Sequence, residues 1–329
     1  MSRSKVSLLP ANPLLRHTVS RLLVAVPLLT LVGCGSGEEE GPCFSRQTPF
    51  TESFTGATLA DGGVPQQEDC MALCEVKKSY GTIESCNVRV VPASDAGTGA
   101  TVSVLDCRGF YETCSDGRKP EGLQEPRLDA HCSLGALFAR MAWLEAASVP
   151  AFLRLARELK AHGAPEVLVR AARRSAGEEV RHTRAMTALA RRHGASAPEV
   201  ELAPFPTRSL EDMLVENAKE GCVRETFGAV VAGWQARAAE DARVREEFER
   251  IAEDELRHAE LAWAVDAWAA ELLTPEARQR VRDARREAFE ELKHLLARQE
   301  PDATLVRQAG IPSRDAALQL LGGLEVLVA

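Results

Sequence analysis

From about residue 130 onward, apolar side chains recur every three to four positions, the spacing that gathers them on one face of a helix. Ala, Leu, Arg and Glu dominate this stretch, all strong helix formers. The pattern predicts a first helix over 133–161 that stops near Gly163, and a second that opens after Pro165 and closes at Gly194. A Pro-rich connection, 195–208, follows. Ser209 with Asp212 reads as a capping box for a third helix running to about 240, and a fourth covers 242–272. Thr274-Pro275 opens a fifth to about 299, and a short sixth follows Ser313. Four long helices with a long link after the second describe a bundle with a crossover. Residues 43–115 read differently: short apolar runs broken by DGG and SDAGTG predict small loops and strands, with one helical turn near EDCMALCEV.

The fold class expected is mainly α: a bundle over 130–273 with extra C-terminal helices over 274–329, preceded by a small disulfide-rich module. Residues 116–129, containing DGRKPEGLQEP, form a linker. Residues 1–33 read as a leader outside the fold, in which Arg3, Lys5, Arg16 and Arg21 precede LLVAVPLLTLVG, too short to span a bilayer comfortably. The leader ends in LVGC, which resembles a bacterial lipoprotein lipobox. That resemblance implies cleavage before Cys34, a lipid on its sulfur and anchorage by acyl chains, with 34–42 as a polar tether. Gly35 rather than Asp follows the cysteine, which points to the outer membrane, facing the periplasm.

Cysteine usage agrees with export. Cys43, Cys70, Cys74, Cys86, Cys107 and Cys114 crowd one segment, the density of a disulfide-stapled module whose pairing the sequence leaves open. No C-x-x-C pair starts a zinc site. The chain of 329 residues has a formal charge of −8 and no Lys/Arg run outside helical segments, which excludes nucleic acid as a partner.

The helical faces carry the chemistry. Phe138, Met141, Ala142, Val149 and Phe152 form a stripe with Glu145 in its middle. Val169, Ala172, Ala176, Met186 and Ala190 form another, interrupted by Glu179 and His182. Leu214, Ala218, Gly221, Cys222, Gly228, Ala229 and Ala232 surround Glu225, and Phe248, Ile251, Ala252 and Ala262 surround Glu255 and His258. Four unpaired carboxylates in an apolar interior would take up protons or destabilise the fold by several kcal/mol. Two divalent ions would neutralise them, with two neutral imidazoles completing the shell. Glu and His three residues apart lie about 4.5 Å along a helix on one face, so both reach one ion. Mixed oxygen and imidazole ligation suits iron or manganese.

This arrangement resembles the ferritin-like di-iron carboxylate proteins, which draw one Glu, then E-x-x-H, then again one Glu and E-x-x-H from successive helices. The matching positions are Glu145, Glu179-Val-Arg-His182, Glu225 and Glu255-Leu-Arg-His258. The resemblance covers about 130–272 and implies a duplicated helix pair holding two iron ions, with manganese or a mixed pair as the alternative. The repeated strings EEVRH (178–182) and DELRH (254–258) further resemble the metal helices of bacterial di-iron monooxygenases. By that likeness Glu178 and Asp254 hold imidazole N–H groups, with Arg181 and Arg257 pairing nearby. The alternative is solvated surface charge at helical spacing.

Other positions have plainer readings. Pro150 kinks the first helix or removes a hydrogen bond from it. Cys222 is a buried inert thiol, and in the antiparallel arrangement that the ferritin-like resemblance implies for the first and third helices, Cys132 lies roughly 25 Å from it by helical rise, too far to bond. Trp143, Trp234, Trp263 and Trp268 are core or interface anchors. Three functions compete: oxidase or peroxidase chemistry on iron itself, oxygenation of a small organic substrate, and metal binding without turnover. Tyr80 and Tyr111, the only tyrosines, lie outside the helical region, so a stored tyrosyl radical lacks its residue. Ala229 stands where the monooxygenases carry a threonine, and small residues (Gly221, Gly228, Ala229, Gly233) leave room for either a pocket or close packing. Ferrous ion and peroxide reach the envelope, whereas nicotinamide-dependent reductases do not, which favours the first function. The partners expected are ferrous ion, dioxygen or peroxide, and the lipid bilayer through acylated Cys34, with a homodimer left open.

Overall fold

The computed structural model describes residues 9–26, 48–55, 65–77, 81–92, 101–111, 118, 120, 123, 133–202, 206–298 and 301–328. The chain divides into two units, Phe44–Thr113 and the remainder, of which the second is almost wholly helical.

The smaller unit is an antiparallel sheet of β1 (Thr48–Thr55), β2 (Gly81–Pro92) and β3 (Thr101–Tyr111), in the order β1-β3-β2. Its helix, α2 (Cys70–Lys77), lies between β1 and β2 in sequence. Cys70 and Cys74 sit one turn apart, and disulfides tie them to Cys86 on β2 and Cys107 on β3. These half-cystines pack with Leu105 into a core of their own. So small a core needs such staples, each typically worth 2–4 kcal/mol. Cys34, Cys43, Cys114 and Cys132 lie outside the described residues.

The larger unit is built on two helical hairpins. In the first, α3 (Ser133–Ala161) packs along α4 (Glu166–Arg192), and Gly163 and Gly194 close both helices in the left-handed conformation, at φ 75° and 72°. α3 is long and apolar enough to cross a membrane, yet 72% of its most apolar window is buried inside the protein, so it is a core helix. In the second hairpin, α5 (Leu210–Glu216) and α6 (Thr226–Ala238) form one rod, and α7 (Ala242–Ala270) packs back along it. Ser209 caps α5 by accepting the Asp212 amide. α4 meets α7 across the interior. The long connection into α5 is pinned by Arg208, whose guanidinium grips Glu158 of α3 and Glu216 of α5. Burial raises the Glu158 pKa, but Arg208 outweighs it and holds the carboxyl below its ordinary range.

The third rod is not one continuous α-helix. Residues Asn217–Glu225 between α5 and α6 are π-helical, with wider turns. The inserted register costs hydrogen-bond geometry and is found mostly at functional sites. Two contacts brace it against α7: the Asn217 amide donates to the Ala262 carbonyl at 2.9 Å, and Gly221 lies directly beneath the Ala262 methyl.

Beyond the hairpins come α8 (Pro275–Ala297), α9 (Ala303–Gln308), α10 (Arg314–Gly322) and α11 (Glu325–Val328). The short α9 and α11 carry too few turns to show a period. Within the stretch read as a leader outside the fold, residues 13–25 form a helix, α1 (Pro13–Ala25), that packs onto the larger unit. Leu15 and Val19 sink among Phe227, Val230, Leu320 and Leu324, while Arg16 grips the buried Glu260 carboxylate at 2.7 and 2.9 Å. In the uncleaved chain these side chains form an amphipathic face against an apolar groove.

Two glycines on the third rod differ sharply in surroundings. A Cβ at Gly221 would stand 2.5 Å from that of Ala262, whereas one at the buried Gly228 would meet nothing within 4 Å. Gly221→Ala should therefore destabilise the protein by about 2 kcal/mol, and Gly228→Ala should stabilise it by up to about 1 kcal/mol. Denaturant unfolding of the two variants checks both signs.

Candidate metal centre

Glu145 comes from α3, Glu179 and His182 from α4, Glu225 from the end of the π segment, and Glu255 and His258 from α7; all six are at most 4% exposed. Each occupies a helical stripe whose other members are apolar, so the packing that buries the stripe buries the charge. Ligand atoms of Glu145, Glu179, His182 and Glu255 lie within 4.8 Å of one another, a cluster that can hold a metal ion. His182 Nδ1 stands 3.5 Å from Glu145, 3.4 Å from Glu179 and 3.2 Å from Glu255. His258 Nδ1 joins through Glu179 at 3.2 Å and Glu255 at 3.5 Å, and the two imidazole centroids are 5.8 Å apart. Glu225 lies outside the four-residue cluster, with one carboxylate oxygen 3.9 Å from Arg118 Nε.

The far nitrogens of the rings are held crosswise. His182 of α4 meets Asp254 of α7 at 3.1 Å through Nε2, and His258 of α7 meets Glu178 of α4 at 3.1 Å through Nε2. Arg181 in turn binds Asp254, while Arg257 binds both Glu178 and Asp254. An ionised carboxylate only accepts, so each Nε2 carries a hydrogen and each Nδ1 of a neutral ring presents its lone pair to the cluster. Glu178 and Asp254 are buried, not solvated surface charges.

Among the described residues, eight atoms of the six inward side chains have no hydrogen-bond partner: Glu145 Oε2, both oxygens of Glu179 and of Glu225, Glu255 Oε1, and Nδ1 of both histidines. Buried polar atoms are normally satisfied, and convergent orphans of this kind on oxygen and imidazole nitrogen are what a hard or borderline cation requires. The donor set fits a metal.

Without an ion, protons and the two rings must balance the charge. Burial, and then the neighbouring Glu179, push the Glu145 carboxyl well above its ordinary range. Burial also opposes ionisation of Glu179, but contact with His182 and His258 outweighs it and draws this carboxyl well below that range. Glu255 is lowered for a similar reason, with the His258 charge prevailing over burial. Burial alone would keep the imidazoles neutral. His182 is nonetheless raised by Asp254 and the cluster carboxylates, and His258 by Glu255 and Glu178. Asp254 falls to about 2, burial being outweighed by His182, Arg257 and Arg181.

Two participants escaped the sequence reading. Arg118, assigned to the linker, is a buried cation beside Glu225, and Asn217 receives its guanidinium Nη2 at 2.9 Å. A single Arg in a polar stretch carries no periodicity to mark it; the one trace was a polar Asn at an inward position, four residues before Gly221. Cys222 is free and buried, its thiol pushed up by burial. Cys70, Cys74 and Cys86 also lie close enough together to resemble a metal cluster, but they are committed to disulfides.

The chain matches no family model, no curated protein and no solved structure, so its chemistry rests on the donor set.

Burial raises Glu225 from 4.5 to about 7, with Arg118 pulling in the opposite direction. A carboxyl whose folded pKa is raised favours the fold below its unfolded pKa, and that advantage is lost as pH rises through the folded value. Metal-free protein should therefore lose stability between about pH 4.5 and 7. Glu225→Gln should recover roughly 3 kcal/mol at pH 8 and nothing at pH 4. Chelator-treated protein unfolded in denaturant across this range checks the sign and the window.

Proposed function

We propose that the helical unit is a ferritin-like di-metal carboxylate bundle that holds two iron ions and oxidises ferrous ion with dioxygen or peroxide at the cell envelope. The observation that carries this reading is the set of eight unpartnered buried donor atoms on side chains from both hairpins. Glu145, Glu179, His182, Glu225, Glu255 and His258 are the residues that would hold the pair, with four carboxylate charges matching two divalent cations. Manganese fits the same donors, so iron is the choice of this proposal and not of the donor set alone.

The chain's own contribution is orientation and charge. Asp254 and Glu178 fix the ring planes of His182 and His258, and they strengthen each ring as a donor by accepting its Nε2 hydrogen. Arg181 and Arg257 keep those two carboxylates ionised and in place. The burial of all six inward residues excludes water, which strengthens every interaction among them. Protons held on Glu145 and the imidazoles without metal leave when an ion binds, so uptake is favoured as pH rises. Bound iron would supply the redox chemistry, passing electrons to oxygen or peroxide. For ferrous ion as substrate the balance is one electron per ion. Two electrons with two protons convert dioxygen to hydrogen peroxide, or peroxide to two waters. The lipobox resemblance at Cys34 supports the envelope address, where both substrates are available without a reductase.

A second reading, oxygenation of a small organic molecule, is favoured by the open space at Gly228, one turn beyond Glu225. Ala229 in place of the monooxygenase threonine weighs against it.

Purified protein incubated anaerobically with ferrous ion should retain about two iron ions per chain. Glu179→Ala and His258→Ala should each abolish retention, and Glu178→Ala or Asp254→Ala should weaken it about 10- to 100-fold. Unchanged iron content in the first two variants would overturn the ligand assignment. With oxygen and no organic substrate, sustained ferrous oxidation supports the main reading. A single stoichiometric turnover supports the oxygenase, and no reaction leaves a binding module.

A further inference from the structure

Arg118 belongs to neither hairpin, yet its side chain is 1% exposed, inside the larger unit. The seat it occupies is built. The Ser148 hydroxyl of α3, whose one hydrogen is shared between the Arg118 and Leu144 carbonyls, lies 3.1 Å from each. The guanidinium lies 5.4 Å over the Phe152 ring, and Nη2 donates to Asn217 Oδ1 at 2.9 Å. Asn217 is itself held in orientation, because its amide nitrogen donates to the Ala262 carbonyl. Gly221 supplies the room: a Cβ there would stand 2.9 Å from Nη2.

For all this support, Nε has no hydrogen-bond partner among the described residues; the nearest carboxylate oxygen, on Glu225, is 3.9 Å away. A buried guanidinium N–H left unpaired costs as much as a lost charged hydrogen bond. Charge counting sharpens the point. Two divalent ions cancel Glu145, Glu179, Glu225 and Glu255, with both imidazoles neutral. Glu178 pairs with Arg257, and Asp254 with Arg181. One fixed positive charge, that of Arg118, is then left in a low-dielectric interior, where it calls for one negative charge.

We propose that Arg118 is the receptor for a small planar monoanion, of carboxylate type, that binds beside Glu225 between the guanidinium and the metal pair. Nε and the second hydrogen of Nη2 form the parallel fork that matches a carboxylate edge. The inference rests on the cluster being a di-metal centre, as proposed above. Arg118 thereby selects what enters the centre: anionic small molecules in preference to neutral ones of the same size.

The test uses the full chain loaded with cobalt(II), whose visible absorption reports a change of ligand without turnover. Formate is the probe. Elemental analysis comes first: wild-type protein that retains no cobalt sinks the di-metal reading itself. With cobalt present, formate should saturate a change in the cobalt spectrum. Arg118→Gln should keep its cobalt and bind formate at least tenfold more weakly, and Arg118→Lys, which keeps the charge without the fork, should fall between. Formate affinity equal to wild type in Arg118→Gln overturns the assignment and leaves the di-metal reading standing. Loss of cobalt from Arg118→Gln, with or without loss from Arg118→Lys, overturns it too, because the charge would then serve to build the centre rather than to receive a ligand.

Discussion

Four glutamates and two histidines share one desolvated space, and no arrangement of apolar neighbours makes that cheap. Isolated, each buried carboxylate would cost several kcal/mol, a large fraction of what a domain of this size has to spare. The side chains therefore depend on one another and on whatever joins them. Carboxyls differentiate, Glu145 keeping a proton while Glu179 gives its own up, and the rings take the charge that remains. A cation would relieve this arrangement, and ligand atoms of Glu145, Glu179, His182 and Glu255 already lie within 4.8 Å of one another.

The repeated acid-acid-apolar-Arg-His string has a geometric meaning that its spacing alone does not convey. Each copy completes the other. The acid leading one copy receives the histidine ending the other, and the arginines cross in the same way, Arg181 to Asp254 and Arg257 to Glu178. A single copy would leave its own histidine unsupported, so the α4–α7 contact and the integrity of the centre are one requirement. Arg208 at the far end performs a similar service for α3 and α5 with ordinary ion pairs, well away from the inward carboxylates.

Two features lie outside that symmetry. The π segment occurs only in the second hairpin, and Asn217 within it receives Arg118. Arg118 thus stands beside Glu225, whereas Glu145 neighbours His182, so the two inward glutamates differ in their surroundings. At the surface of the uncleaved chain, α1 packs against Phe227, Val230 and Leu320. Gly233 and Gly323 make room there for Leu23 and Leu22.

Much was legible in the order of residues. Helix starts and stops followed from Pro, Ser, Thr and Gly at chain positions where backbone chemistry is local, which is why Ser209, Thr274 and Ser313 cap the helices they precede. The inward position of Glu145, Glu179, His182, Glu225, Glu255 and His258 followed from period alone, since a residue in the middle of an apolar stripe goes where the stripe goes. Distance in space was not local, and the sequence was silent on it. It took the packed structure to pair Cys70 with Cys86 and Cys74 with Cys107, to place Glu225 beside Arg118 and outside the tight cluster, and to lay α1 in its groove. It also gave the third rod its π geometry, within which Gly221 meets Ala262 of α7 across 41 residues of chain. Periodicity reports which face a side chain takes, and only the fold decides what it meets there.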